Sequence, residues 1–231
     1  MIEIDVKSLV NHKDYTMNEA IKQLRTNIGF SGPDKKVIAF TSCLPSEGKS
    51  TTVMDLAISM AESGKRVLVI DADLRRSVMA GRMRIMGQGK GLSHLPSGQA
   101  EMSEVLAKAN IPGLHVILSG PVPPNPAELI GSRRFEIFVK EARDVYDYVL
   151  IDTPPLGSVI DSAVISKVCD GVVVIVSAGA VSYKFAQNVI DQLHKADAHI
   201  IGTVLSKVNY KKSSYYGKYG GYGSYYGESK K

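Results

Sequence analysis

The sequence predicts an α/β fold in three layers, a parallel sheet with helices on both faces, followed by a flexible C-terminal tail. Three observations predict it. Short β-rich runs alternate with patterns of helical period along residues 15–206. The runs are apolar at nearly every position, as strands covered on both faces are. After residue 209 the composition changes abruptly.

The elements follow in order. Thr16 and Glu19 have the spacing of a capping box, and Met17, Ala20, Ile21, Leu24 and Ile28 form one apolar face of a helix over about 16–30. Glu19, Lys22 and Arg25 lie on its other face. Val37–Ser42 is a strand. Residues 50–63 are a helix with Val53, Leu56, Ala57, Met60 and Ala61 on one stripe and Gly64 as its stop. Further strands are predicted at Val67–Asp71, 115–118, Tyr148–Asp152, 172–176 and 200–205, with helices near 135–143, 160–168 and 182–196. Residues 1–209 make one domain and 210–231 the tail.

Composition excludes several classes of function. The chain of 231 residues is 44% hydrophobic and 22% charged, which suits a soluble globular domain with a sizeable core. No apolar run approaches the roughly 20 residues that span a bilayer. The start, MIEIDVKSLV, lacks the basic and apolar blocks of a secretory signal. Cys43 and Cys169 offer neither a disulfide framework nor zinc spacing, which suits a reducing cytosol. The net charge of +5 sits entirely in residues 207–231, where six lysines face one acid, Glu228; the preceding 206 residues balance to zero. A neutral core argues against nucleic acid as a partner.

The tail, YKKSSYYGKYGGYGSYYGESKK, holds seven of the eleven tyrosines (Tyr210, Tyr215, Tyr216, Tyr219, Tyr222, Tyr225 and Tyr226) and no aliphatic residue. Such a segment buries too little apolar area to offset the entropy of ordering.

The chemistry concentrates at three places. CLPSEGKST, residues 43–51, lies between a strand and a helix, the context of a phosphate-binding loop. Pro45, Ser46, Glu47, Gly48, Lys49, Ser50 and Thr51 would wrap the phosphates of a nucleotide. Lys49 would reach the β- and γ-phosphates, and the Ser50 hydroxyl would ligate Mg²⁺. Cys43 stands where GxxxxGK[ST] has its first glycine. VLVIDADLRR follows, with Asp71 closing a buried-type strand and Asp73 two residues on. Carboxylates leaving parallel strands at their C-terminal ends face the same crevice as the loop, where they hold Mg²⁺ or accept a proton. YVLID, ending in Asp152, has the pattern of a Walker B strand.

A loop of the form S-x-x-P-x-E-G-K-S, then D-x-D-x-R after an apolar strand, then a Walker B strand, resembles the bacterial tyrosine kinases (BY-kinases). Here these are residues 42–50, 67–75 and 148–152, joined by GKGLSHLPSG (89–98), PPNPAELIGSRRF (123–135) and the tyrosine-rich end. The resemblance covers the chain from about Tyr15. It implies a P-loop ATPase fold related to the MinD/ParA group, using ATP and Mg²⁺ for transfer to tyrosine. It implies autophosphorylation of the tail tyrosines in trans within a ring-shaped homo-oligomer, built by an E-x-x-R-x-x-R helix that reads Glu19, Lys22 and Arg25 here. The middle position keeps its charge but lacks the guanidinium fork. Leu44 replaces the second lysine of many MinD/ParA loops, and Ser206 stands where they read an adenine-binding Asn.

The resemblance further implies other protein-tyrosine substrates, a cognate tyrosine phosphatase and control of capsule or exopolysaccharide synthesis. A chain starting at Met without a spanning segment looks like the split form of the family: cytoplasmic, and recruited to the inner face of the cell membrane by a membrane-embedded activator, a polysaccharide co-polymerase. In the mechanism expected, Lys49 and Mg²⁺ neutralise the γ-phosphate. Asp71 orients the incoming hydroxyl and takes its proton, and Asp73 and Asp152 stand on the metal side; Asp71 and Asp73 can exchange roles. The 22-residue tail reaches up to about 70 Å at about 3.3 Å per residue, far enough for a neighbouring subunit. A MinD/ParA-like switch ATPase, or a nucleotide-binding adaptor without kinase activity, is the alternative; a hydrolytic switch has no use for seven clustered tyrosines.

Overall fold

The structure, a computed structural model, describes residues 2–6, 15–82 and 89–208, with Ile2 and Arg82 by backbone alone. The expected tail and all seven of its tyrosines lie outside the described residues. Eight strands form one sheet: β1 (Ile2–Ile4), β2 (Val37–Ser42), β3 (Val67–Asp71), β4 (Leu106–Ala109), β5 (Leu114–Ile117), β6 (Tyr148–Asp152), β7 (Gly171–Ser177) and β8 (Ile200–Ser206). Their order is β1-β4-β5-β3-β6-β2-β7-β8. The six strands from β5 to β8 run parallel, as expected. The other two do not follow the parallel rule. β4 is antiparallel to β5, and β1 pairs parallel to β4, so this edge runs against the rest. Only residues 110–113 join β4 to β5, a link short enough for antiparallel neighbours and too short for a parallel crossover.

The helices are α1 (Tyr15–Phe30), α2 (Lys49–Glu62), α3 (Met79–Arg82), α4 (Met102–Val105), α5 (Pro126–Ile130), α6 (Arg133–Val145), α7 (Asp161–Ser166) and α8 (Tyr183–Lys195). Alternate strand residues feed two separate cores, which is why the strand sequences are apolar throughout. On one face Ala39, Ile70, Ile151 and Val174 meet Phe135, Val139, Ile165, Val189 and Leu193 from α6, α7 and α8. On the other, Ile38, Phe40, Val69, Leu150 and Ile175 meet Ile28 of α1 and Val53, Leu56 and Met60 of α2. Each such Leu, Ile or Phe contributes about 1.5–3 kcal/mol of burial.

One local expectation is corrected. α1 already includes Tyr15, so Thr16 lies inside the helix rather than capping it. Ile21 and Ile28 are buried as predicted, while Met17 at the helix start is 48% exposed.

The order of strands positions the site. β2 runs through α2 to β3 two places away, and β6 fills the gap; the chain later returns to the other side of β2 as β7. The C-terminal ends of β2, β3 and β6 are thereby side by side at a point where the winding reverses, the usual crevice for ligands in such sheets.

Candidate active site

The loop between β2 and α2 has left-handed backbone at Ser46 (φ 64°) and Gly48 (φ 87°). Gly48 takes that geometry freely, whereas Ser46 needs outside support. Cys43 lacks a positive φ, so this loop does not require glycine at its first position. Its buried thiol is pushed up to about 11, by burial first and then by the charge of Glu47, and stays protonated at neutral pH.

Glu47 belongs to the loop in a way that the sequence does not show. Its side chain is 3% exposed and points into the protein. Oε2 accepts from the Leu44 N–H at 2.7 Å and Oε1 from the Ser177 N–H at 2.9 Å, so the carboxylate straps the loop to the end of β7. From β8, the Ser206 hydroxyl donates to the Glu47 carbonyl at 2.5 Å, and Lys207 Nζ donates to the Ser46 carbonyl at 2.5 Å. Ser206, which stands where MinD/ParA relatives often read an adenine-binding Asn, is therefore bonded to the loop.

Asp71 and Asp152 are register partners at the ends of β3 and β6. Each is 1% exposed. Lys49, the first residue of α2 and also buried, places Nζ 2.5 Å from Asp152 Oδ1. Asp71 accepts from the Ser77 hydroxyl. Burial, and next the neighbouring charge of Asp152, push Asp71 up to about 7; the Ser77 hydrogen bond and the Lys49 cation pull the other way.

Asp73 lies on the cleft wall, with its backbone N–H donating to Asp71 Oδ1 at 3.3 Å. Its Oδ1 accepts from the Arg76 N–H at 2.9 Å and caps the turn after β3. Arg75, next to it, forms a two-pronged pair with the buried Asp161, Nε to Oδ2 at 2.7 Å and Nη2 to Oδ1 at 2.9 Å. Ser162 then joins Thr41 and Thr153 in a buried hydroxyl cluster around the Pro154 carbonyl. The segment after β6 is thus tied both to β2 and to the D-x-D-x-R turn.

The loop from Pro45 to Gly48, with Lys49, Asp73, Arg75 and Lys207, lines a cleft of about 630 Å³ that includes Ser50 and Thr51 at the start of α2. Clefts of about 610 and 640 Å³ lie along α6, so size does not distinguish the site. Its chemistry does: a backbone cradle, a helix start and a buried lysine share one wall, and that lysine is paired with the buried Asp152, the register partner of Asp71. Among the described residues no three His, Cys, Asp or Glu side chains form a metal cage. The donor set instead fits Mg²⁺, which takes few protein oxygens and completes its shell with phosphates and water. Two adjacent carboxylates, one of them disfavoured as an anion, suit a cation.

The charged residues of α1 divide. Lys22 pairs with Glu19 at 2.7 Å on the exposed face. Arg25 Nη1 donates to the carbonyl and hydroxyl of Ser59 at 2.7 and 3.2 Å, fastening α1 to α2 within the chain. No helix among the described residues is long and apolar enough to cross a membrane.

Residues 35–206 match the model of an AAA-domain family. The tyrosine-protein kinase CpsD of Streptococcus agalactiae is 40% identical over 205 residues, 89% of each chain. Among solved structures, the chimerical protein CapA2B2 superposes with a TM-score of 0.80 at 31% identity, covering 89% of this chain and 93% of that one. The kinase domain of the Escherichia coli tyrosine kinase ETK superposes with a TM-score of 0.77 at 31% identity over 83% and 77%. The septum site-determining protein MinD of Pyrococcus horikoshii, complexed with Mg-ADP, shares the fold at 20% identity and a TM-score of 0.62, over 74% and 69%. With its phosphate loop, paired aspartates and parallel core strands, the chain belongs to the bacterial tyrosine-protein kinases, enzymes built on a P-loop nucleotide-binding fold.

Proposed function

We propose that this kinase uses Mg-ATP to phosphorylate its own tyrosine cluster, Tyr210 to Tyr226, between subunits of a homo-oligomer. The observation that carries the reading is the contact of Lys49, on the cleft, with the buried Asp152, whose register partner is Asp71. Glu47, Gly48 and Ser50 offer backbone N–H groups, and α2 adds the positive end of its dipole. Lys49 exchanges Asp152 for the phosphates of the nucleotide. Ser50, Asp152 and Asp71 or Asp73 would hold Mg²⁺, which would supply charge neutralisation for the phosphoryl group. A tyrosine hydroxyl, with a pKa of about 10, enters protonated and needs an acceptor. Asp71, pushed up to about 7, is basic enough to orient that hydroxyl and take its proton near neutral pH.

The family pattern supports a ring built through α1, activation by a membrane-embedded partner at the inner face of the membrane, reversal by a tyrosine phosphatase, and control of capsule or exopolysaccharide synthesis. Leu44 packs against the core and gives no second loop lysine, which favours transfer over a MinD-type hydrolytic switch.

One experiment tests transfer and its direction. The Lys49→Met chain serves as acceptor, and a chain with all seven tail tyrosines changed to Phe serves as donor. With Mg-ATP, neither alone should give phosphotyrosine in its tail, and the mixture should label the Lys49→Met chain. An unlabelled mixture beside a self-labelling wild type would overturn transfer in trans.

A further inference from the structure

We infer that Ser206 and Lys207, at the junction with the tyrosine-rich segment, are positioning residues that aim the phosphate loop. This rests on the nucleotide-binding reading above.

The geometry follows from the planar peptide. In a trans peptide the carbonyl of one residue and the N–H of the next point in opposite directions, and the described residues contain no cis bond. Lys207 Nζ holds the Ser46 carbonyl toward the end of β8, which turns the Glu47 N–H the other way. The Ser206 hydroxyl holds the Glu47 carbonyl and so turns the Gly48 N–H the other way. Among the described residues, neither N–H donates a hydrogen bond. They are the donors that a phosphate in the cleft requires.

Ser46 itself needs the support. It is a left-handed residue without glycine's freedom, and Lys207 (φ 55°) is another. Two such residues, both lining the cleft and bonded to each other, mark a shape held by tertiary contact rather than by chain preference. β8 is itself well anchored: Ser206 is the register partner of Ser177, and its carbonyl accepts from the Ala178 N–H at 2.9 Å. Ser177 is also the residue to which the Glu47 carboxylate is strapped. Neither side chain adds to the apolar core, and removing either leaves the β7–β8 ladder intact. The segment carrying the phosphoacceptors therefore begins at the two residues that shape the loop for the donor nucleotide.

The test is the affinity of the full-length chain for Mg-ADP by titration calorimetry, with Ser206→Ala, Ser206→Thr, Lys207→Met and Lys207→Arg. Ser206→Ala and Lys207→Met should each weaken binding roughly two- to tenfold, the effect of one lost hydrogen bond. Ser206→Thr and Lys207→Arg, which keep a donor, should recover most of it. Amide exchange at Glu47 and Gly48 should quicken in the weakened variants. Wild-type affinity in folded Ser206→Ala would overturn the inference. So would a loss confined to Lys207→Met, since that pattern is simple attraction between a cation and phosphate. A wild-type chain that binds no Mg-ADP would instead overturn the nucleotide-binding reading itself.

Discussion

Asp71 and Asp152 stand side by side as register partners on β3 and β6, both buried. Like charges so placed repel in a medium that screens them poorly. Lys49 compensates Asp152 and Ser77 donates to Asp71, yet Asp71 remains the less favourable anion. The fold is therefore less stable than an uncharged pair would make it, and the cost falls at the ends of β3 and β6.

Asp71→Asn should separate stability from activity. Folding raises Asp71 from its ordinary 3.8 to about 7, so the native state binds its proton more tightly than the unfolded chain. Native stability from this group is full below about pH 4 and falls as pH rises through 7. The variant has no such loss. Without nucleotide it should melt higher than wild type at pH 8 and lose that advantage at pH 5. Phosphotyrosine formation should fall by about 100-fold or more. An equal drop in melting temperature at both pH values would count against the argument.

Lys49→Met should lose phosphotyrosine and also stability. It strands a buried carboxylate, a change that costs about 3–5 kcal/mol when one partner of a buried pair is removed. Lys49→Met with Asp152→Asn should be less destabilised than the sum of the two single changes. Chemical denaturation of the four chains measures that coupling.

Much of this site could be read from the chain because its parts are local. Gly48, Lys49 and Ser50 adjoin one another, and Asp71 and Asp152 each end an apolar strand. What the sequence hid depends on distant pairing. Ser206 and Lys207 meet the loop across 159 and 161 residues, only because β8 lies beside β7. Arg75 finds Asp161 across 86 residues. The Glu47 side chain, pointing inward, had no period to announce it. β1 and β4 escaped because three or four residues are too few to show a pattern.

Arg75→Lys should slow autophosphorylation about tenfold while the protein stays folded. The fork on Asp161 fixes the turn that carries Asp73, and an ammonium replaces two parallel bonds with one. Asp161→Ala should be worse for stability, since it leaves Ser162 and the hydroxyl cluster beside a cavity. Rate measurements at saturating Mg-ATP, set beside melting curves, separate the two effects.

Gly157→Ala should damage the site from the far side of the loop. A Cβ there would stand 2.1 Å from the Cys43 carbonyl and 2.9 Å from the Phe185 ring. Neither can yield freely: Cys43 begins the phosphate loop, and Phe185 lies in the first turn of α8. The segment after β6 must then lift, and it can do so only by stretching the Thr41–Thr153–Ser162 cluster. Overpacking of this kind costs about 1–3 kcal/mol. Because the strain falls on Cys43, Mg-ADP affinity should drop along with stability. Gly29→Ala is the control. Its Cβ meets nothing within 4 Å on α1, so the same added methyl should leave affinity unchanged and raise stability by about 0.5–1 kcal/mol through helix propensity. Melting curves and Mg-ADP titrations on both variants decide it: a Gly157→Ala chain that binds like wild type would show that the segment after β6 moves independently of the loop.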